Sequence, residues 1–412
     1  MENTIFTPCR IGPVELRNRS IRSAAFENMC VDNRPSEALF NYHTAVARGG
    51  IGMTTVAYAA VSRSGLSFKG QLWMKKDIVP DLKRLTDAIH AEGAKASIQL
   101  GHCGNMTHRA TCGQTPVGAS SGFNLYSPTV VRGMKESEIM QLVDDFGTAV
   151  ELAVEAGFDC VEIHAGHGYL ISQFLSPYTN RRHDRWGGSL DNRMRLMRLV
   201  TGRVLEAAAG RIAVVVKTNM YDGFRGGMQQ EECLEVAREL ERLGVDALVL
   251  TAGFVSKAPM EVMHGAMPLK TMAHYMDFRK FWWLKAGLAV AGRLMVPTVP
   301  YSDLYFLQTA RRFRAALKLP LIYVGGVTSK EGMQTVLDEG FVAFQMARTL
   351  VRDPEFMNKV RSGEQSCSLC GHSNYCIGRM YTLDMKCHSC VDRLPAGLQR
   401  EVERLEKDIK KQ

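Results

Sequence analysis

Eight short runs rich in apolar and β-branched residues recur along this sequence, each ending in glycine or polar residues. They are RSIRSA (19–24), GIGMTTVA (50–57), AKASIQLG (94–101), FDCVEIHA (158–165), RIAVVVKTN (211–219), VDALVLTAG (245–253), PLIYVGG (320–326) and GFVAFQMAR (340–348). Each has the length and composition of a strand. Between many of them lie segments whose apolar residues repeat at helical spacing. SEIMQLVDDFGTAVELAVEAG precedes the fourth run, QEECLEVARELERLG the sixth and SKEGMQTVLDEG the eighth. Strands alternating with helices imply a parallel sheet, because a parallel neighbour is reached only through a crossover. Eight such units predict an α/β fold, a (β/α)8 TIM barrel. A doubly wound sheet, the rival, wants a glycine-rich dinucleotide turn after an early strand, and no GxGxxG occurs.

The composition is that of an ordinary globular chain, 46% hydrophobic and 23% charged over 412 residues. The barrel is expected over 1–360, with an insertion near 263–309. A cysteine-rich segment with a charged helical tail, QREVERLEKDIKKQ, fills 361–412; it docks on a neighbouring subunit or stays mobile. The insertion contains FRKFWWLKAGLAVAGRLM, which reads as a lid or side-packing excursion in preference to a membrane-surface helix. No apolar run is long enough to span a bilayer, and the start lacks the pattern of a secretory leader. The expected compartment is therefore the cytoplasm. The formal charge of +9 is scattered, without interleaved basic and aromatic residues, so no nucleic-acid partner is expected.

In a barrel, chemistry sits at the C-terminal ends of the strands. VEIHAGHGYL places His164, His167 and Tyr169 just past the fourth strand. No further His or carboxylate stands nearby at ligand spacing, which argues against a metal site there. The loops after strands seven and eight often bind phosphate in barrels. Gly325 and Gly326 permit close backbone approach, and Arg348 offers a bidentate partner. Of the eleven cysteines, five crowd into Cys367, Cys370, Cys376, Cys387 and Cys390. In a reducing cytosol such crowding points to metal rather than disulfides. Two Cys-x2-Cys pairs separated by 16 residues fit a four-cysteine zinc site.

The stretches IGPVELRNRSIRSAA, RGGIGMTT, SIQLGHCG, AGFDCVEIHAGHGYLISQFLSPYTNRRHDRWGGSLDNRMRL, VVKTNMYDGFRGG, LIYVGGVTS and FQMARTLVRDPEF resemble the Old Yellow Enzyme superfamily of NADH:flavin oxidoreductases. The resemblance is strongest to the branch of 2,4-dienoyl-CoA reductase and enoate reductase. It runs from near Ile11 to about Phe356 and so covers the barrel. It implies FMN, with its phosphate held by the Gly325–Gly326 and Ala347–Arg348 loops. It implies a pyrimidine-edge partner in Gln99, a cation near the flavin in Lys217 and flanking backbone at Ala24 and Ala25. Glu27 takes the place where relatives often carry Thr or Cys near a flavin carbonyl. His164 and His167 become donors to a substrate carbonyl oxygen, and Tyr169 becomes the proton donor.

The same resemblance reads Cys367, Cys370, Cys376 and Cys387 as ligands of a [4Fe–4S] cluster, with zinc or no metal as alternatives. The third cysteine comes two residues later than the usual pattern, and Cys390, His372 and His388 are spare. No FAD- or NAD-binding domain is expected in this chain, so either NAD(P)H or a separate electron-donor flavoprotein is the reductant. A homo-oligomer is a further partner expectation.

The resulting expectation is an FMN-dependent ene-reductase of α,β-unsaturated carbonyl compounds. The competing readings are a flavin oxidoreductase of quinones, nitro compounds or amines, and the barrel subunit of an electron-transfer complex. A tRNA-reducing flavin barrel would want a cysteine acid in a strand-end loop and an RNA-binding helical domain, and neither is apparent.

Overall fold

The computed structural model describes residues 4–125, 127–275, 292 and 296–411. The eight runs are all strands: β1 (Ser20–Arg22), β2 (Met53–Ala60), β3 (Lys95–Gly101), β4 (Cys160–Ala165), β5 (Ala213–Asn219), β6 (Ala247–Thr251), β7 (Leu321–Val324) and β8 (Ala343–Met346). They pair in parallel in sequence order, and β8 closes on β1 to complete an α/β barrel.

Flanking helices are α1 (Glu37–Arg48), α2 (Val79–Ala91), α3 (Glu136–Glu155), α4 (Leu190–Ala208), α5 (Gln230–Leu243), α6 (Leu307–Ala316) and α7 (Lys330–Asp338). Serines start three of them. The Ser36, Ser189 and Ser329 hydroxyls accept from the backbone N–H three residues on, satisfying a donor that the first turn leaves free. α3 buries Ile139, Leu142, Val143, Phe146 and Val150, a stripe at three- and four-residue spacing that faces the barrel.

Side-chain alternation divides each strand between two layers. On β4, Val161, Ile163 and Ala165 join the large core between barrel and helices. Cys160 joins a smaller core inside the barrel, with Val215, Val249, Ile322 and Ala343. Ile11, Val14 and Leu16 plug the base of that inner core. They come from an antiparallel hairpin, Cys9–Ile11 with Val14–Leu16, too short for the sequence pattern to reveal. A three-stranded ribbon of Val117–Gly118, Gly122–Asn124 and Thr129–Gly133 fills the connection after β3.

The cysteine-rich segment packs on the barrel. Cys376, Met385 and Cys387 share an apolar cluster with Val351, against Ala25 and Tyr42. The terminal helix α8 (Ala396–Lys410) sets the Glu401 carboxylate on the N–H groups of Lys270 (2.9 Å) and Thr271 (2.8 Å) and on the Thr271 hydroxyl (2.9 Å). Most of FRKFWWLKAGLAVAGRLM, and with it the lid or membrane-surface reading, lies outside the described residues. Among the described residues, no helix is long and apolar enough to cross a membrane.

Candidate active site

Strand alternation turns Gln99, Glu162, His164, Lys217, Asn219, Thr251 and Gln345 into the barrel toward its C-terminal end. Register sets Glu162 beside Gln99 and His164 beside Lys217. The Glu162 carboxylate is the hub. It accepts from Gln99 Nε2 (2.6 Å) and Gln345 Nε2 (2.8 Å) and pairs with Lys217 Nζ (2.9 Å). Lys217 Nζ also lies 3.3 Å from Ser23 Oγ. Lys217 and Glu162 are each 2% exposed, so their charges must compensate one another. The sequence reading found Gln99 and Lys217 but missed Glu162. Its signal was available: a charged residue at an inward strand position needs a buried partner.

His164 is 4% exposed, and its Nδ1 is buried without a partner. The rings of His164 and His167 lie 5.2 Å apart, and the Tyr169 ring lies 4.7 Å from His164. The three residues therefore meet in one patch, as their spacing suggested. Tyr58 packs edge-on against His164 (6.1 Å) and Tyr169 (5.1 Å), with its hydroxyl on the Gly65 carbonyl. Burial drives the pKa of His164 well below its ordinary value, and the charges of His167 and Lys217 push the same way. His167 is lowered to about 3 by burial and then by Lys217. Burial raises Tyr169 above its ordinary value. At neutral pH the patch is thus two neutral imidazoles and a protonated phenol.

His167 has a left-handed backbone, φ +58°. Such strain in a residue with a Cβ persists only where its surroundings fix it. Asn219 Oδ1 accepts the His167 N–H (3.0 Å), the His167 carbonyl accepts from Val255 (2.9 Å), and Nε2 lies 2.8 Å from Thr251 Oγ1. Asn219 and Thr251 were not legible in the sequence, because each touches His167 directly yet stands tens of residues from it along the chain.

Gly325 and Gly326 have φ of +129° and +69°. A Cβ on Gly325 would sit 2.7 Å from the Phe306 ring, and one on Gly326 2.7 Å from the Leu304 nitrogen. The close approach at this turn is made by the chain segment Leu304–Phe306. Arg348, one residue after Ala347, donates to Asn374 Oδ1 (2.6 Å) and the Met263 carbonyl (2.7 Å) and lies over the Tyr301 ring. Its guanidinium thereby ties β8 to the cysteine-rich segment. Ala24 and Ala25 follow β1, where the Ala25 carbonyl accepts from Arg22 Nη2 (3.0 Å). Glu27 is buried against Arg22 (2.5 Å) and His43 (3.5 Å), in the layer between β1 and α1.

Of the four cysteines expected as ligands, Cys370, Cys376 and Cys387 line one cavity of about 20 Å³, together with His372, His388 and Arg348. Burial pushes the Cys376 thiol up to about 12 and raises Cys370 as well. Cys367 is exposed and outside the cavity lining, as is Cys390. Among the described residues, no three or more His, Cys, Asp or Glu side chains stand in a metal-holding arrangement. Of the set that the spacing suggested, three thiols thus share one cavity and Cys367 stands outside it.

For FMN, the inner wall does fit. A flavin ring presents alternating donors and acceptors, and this wall offers amides, a buried ammonium and two unpartnered polar atoms, His164 Nδ1 and Gln345 Oε1.

The profile of the NADH:flavin oxidoreductase / NADH oxidase family matches residues 4–366. A 4,4'-dithiodibutanoate disulfide reductase of Rhodococcus erythropolis is 40% identical over 380 residues, 92% of this chain and 93% of that protein. A metal reductase of Desulforamulus reducens is 31% identical over 97% of this chain, which spans 54% of that longer protein. In fold, a 2-naphthoyl-CoA reductase complex superposes with a TM-score of 0.80 at 23% identity, covering 98% of this chain and 58% of the other. Morphinone reductase gives 0.70 at 23% identity, covering 89% and 92%. With its closed barrel, and a family match that spans most of its length, the chain belongs to the NADH:flavin oxidoreductase / NADH oxidase family, the Old Yellow Enzyme superfamily, and is an oxidoreductase.

Proposed function

We propose that this protein is an FMN-dependent ene-reductase that takes its electrons from NAD(P)H and saturates the C=C bond of α,β-unsaturated carbonyl compounds. The observation that carries this reading is the patch of two neutral imidazoles beside a protonated phenol at the end of β4, with His164 buried and His167 and Tyr169 half-buried. Bound FMN would supply the hydride that the β-carbon accepts. Gln99, Lys217, the Ala24–Ala25 backbone and the Gly325–Gly326 and Ala347–Arg348 loops are its proposed holders, with Glu27 behind them.

His164 and His167 donate to the carbonyl oxygen, where negative charge grows as the β-carbon is attacked. Donors preorganised in a buried site stabilise that charge far better than water does. A neutral imidazole suits the task, since it offers an N–H without the desolvation cost of a cation. Tyr169 delivers the proton to the α-carbon, so that one hydride and one proton add across the double bond. Excluding water by Tyr58 and the loop at Phe254–Val255 keeps these donors aimed at substrate.

The test is NAD(P)H oxidation by the flavin-loaded protein with 2-cyclohexen-1-one, with the saturated ketone identified as product. Replacing both histidines by alanine should lower kcat by about 10²–10³-fold. Unchanged turnover in that double variant would remove the oxygen-holding role.

A second reading, reduction of an organic disulfide, is favoured by the relative that shares nearly its whole length with this chain. There one sulfur takes the hydride that bound FMN would supply, the S–S bond breaks, and Tyr169 protonates the departing thiolate, giving two thiols. Thiol release from 4,4'-dithiodibutanoate, set beside enone turnover, decides between the two.

A further inference from the structure

His167 can donate a hydrogen bond to substrate only if its single imidazole proton sits on the nitrogen that faces the barrel mouth. Nε2 is already committed, 2.8 Å from Thr251 Oγ1. Nδ1 has no hydrogen-bond partner among the described residues, and His167 as a whole is half-buried. Neutral imidazole carries one donor and one acceptor nitrogen, and what touches one decides the role of the other. Thr251, 3% exposed, has a hydroxyl that can donate to Nε2; a carboxylate in its place could only accept.

We propose that Thr251 is a positioning residue that donates its hydroxyl proton to His167 Nε2 and so holds His167 as the Nδ1–H tautomer, the form that presents a donor to substrate. The inference rests on the proposed oxygen-holding role of His167. Asn219 supports it from the neighbouring strand. Thr251 and Asn219 are register partners on β6 and β5. Asn219 Oδ1 fixes the His167 N–H, while Asn219 Nδ2 donates to Asp222 Oδ1 (3.0 Å) and the Gly253 carbonyl (2.8 Å). The side-chain amide is thereby oriented with its oxygen toward His167. Gly166 makes room for both: a Cβ there would lie 2.7 Å from Asn219 Oδ1 and 3.4 Å from Thr251 Cγ2. One strand pair thus sets the backbone angle, the ring position and the proton position of the same residue.

The tautomer is read directly from ring ¹⁵N shifts in ¹⁵N-histidine-labelled, FMN-loaded protein, with His167 assigned by loss of its signals in His167→Gln. Nδ1–H is expected in the wild type and in Thr251→Ser. Thr251→Val should shift the population toward Nε2–H and lower kcat/KM for 2-cyclohexen-1-one by about tenfold, with Thr251→Ser within a few-fold of wild type. An Nε2–H tautomer in the wild type, or an unchanged tautomer in Thr251→Val, would overturn the proposal. Absence of enone turnover in the wild type would count against the functional reading alone, since the ¹⁵N shifts report on Thr251 without it. Flavin content and circular dichroism of each variant separate a lost hydroxyl from a lost fold.

Discussion

Burial keeps the imidazoles at the end of β4 uncharged, and that has a cost in acid. His167, and the buried His102 that directly follows β3, are each lowered to about 3 by burial, against an ordinary value of about 6.5. Between those values the unfolded chain binds protons that the folded chain refuses, so stability rises with pH. The stabilisation is complete above about pH 6.5 and is lost as pH falls toward 3. At pH 5 each such histidine should cost roughly 2 kcal/mol relative to pH 7. Urea midpoints measured at pH 7 and pH 5 should therefore separate clearly, and coincident curves would show that these rings are not held neutral. Histidine identity was legible in HAGHGY. The charge state was not, because it follows from Lys217 and from burial by strands distant in sequence.

At the scale of elements, the turn after β7 depends on the segment laid across it. Leu304–Phe306 touches Gly325 and Gly326 where any side chain would stand, and Arg348 meets Tyr301 from the same segment. Gly325→Ala forces a Cβ to 2.7 Å from Phe306 in a backbone region that favours glycine. The expected loss is about 1–3 kcal/mol, with weaker flavin retention. Thermal unfolding and the flavin absorbance of the purified variant measure both, and a variant matching wild type in each would dissociate this turn from flavin binding. The two glycines announced a special turn in the sequence. What covers them did not show, because the covering segment belongs to an insertion with no periodic pattern of its own.

For the whole molecule, the cysteine-rich segment and α8 are part of the barrel's surface, joined through the Arg348–Asn374 and Glu401–Thr271 contacts. Glu401, 3% exposed, holds three donors of the Leu269–Tyr275 helix. Glu401→Ala leaves the two Thr271 donors buried and unpaired, at a cost on the order of 3 kcal/mol. Amide hydrogen exchange should then accelerate across α8 and the cysteine segment while β1–β8 stay protected. Uniform protection in the variant would mean the segment is held by its apolar contacts alone.

The sequence by itself determined the barrel, since eight apolar runs alternating with helical periods leave a parallel sheet no simpler way to bury its faces. It also determined the patch of His164, His167 and Tyr169, because those residues are neighbours along one strand end. Only the tertiary structure decided what surrounds them: Glu162 between Gln99 and Lys217, Asn219 and Thr251 clamping His167, and Cys367 standing apart from Cys370, Cys376 and Cys387. The reason is physical. Local spacing is fixed by covalent geometry, whereas pairing a buried charge, choosing a tautomer or gathering thiols depends on which distant strands and loops the closed barrel brings within a few ångströms.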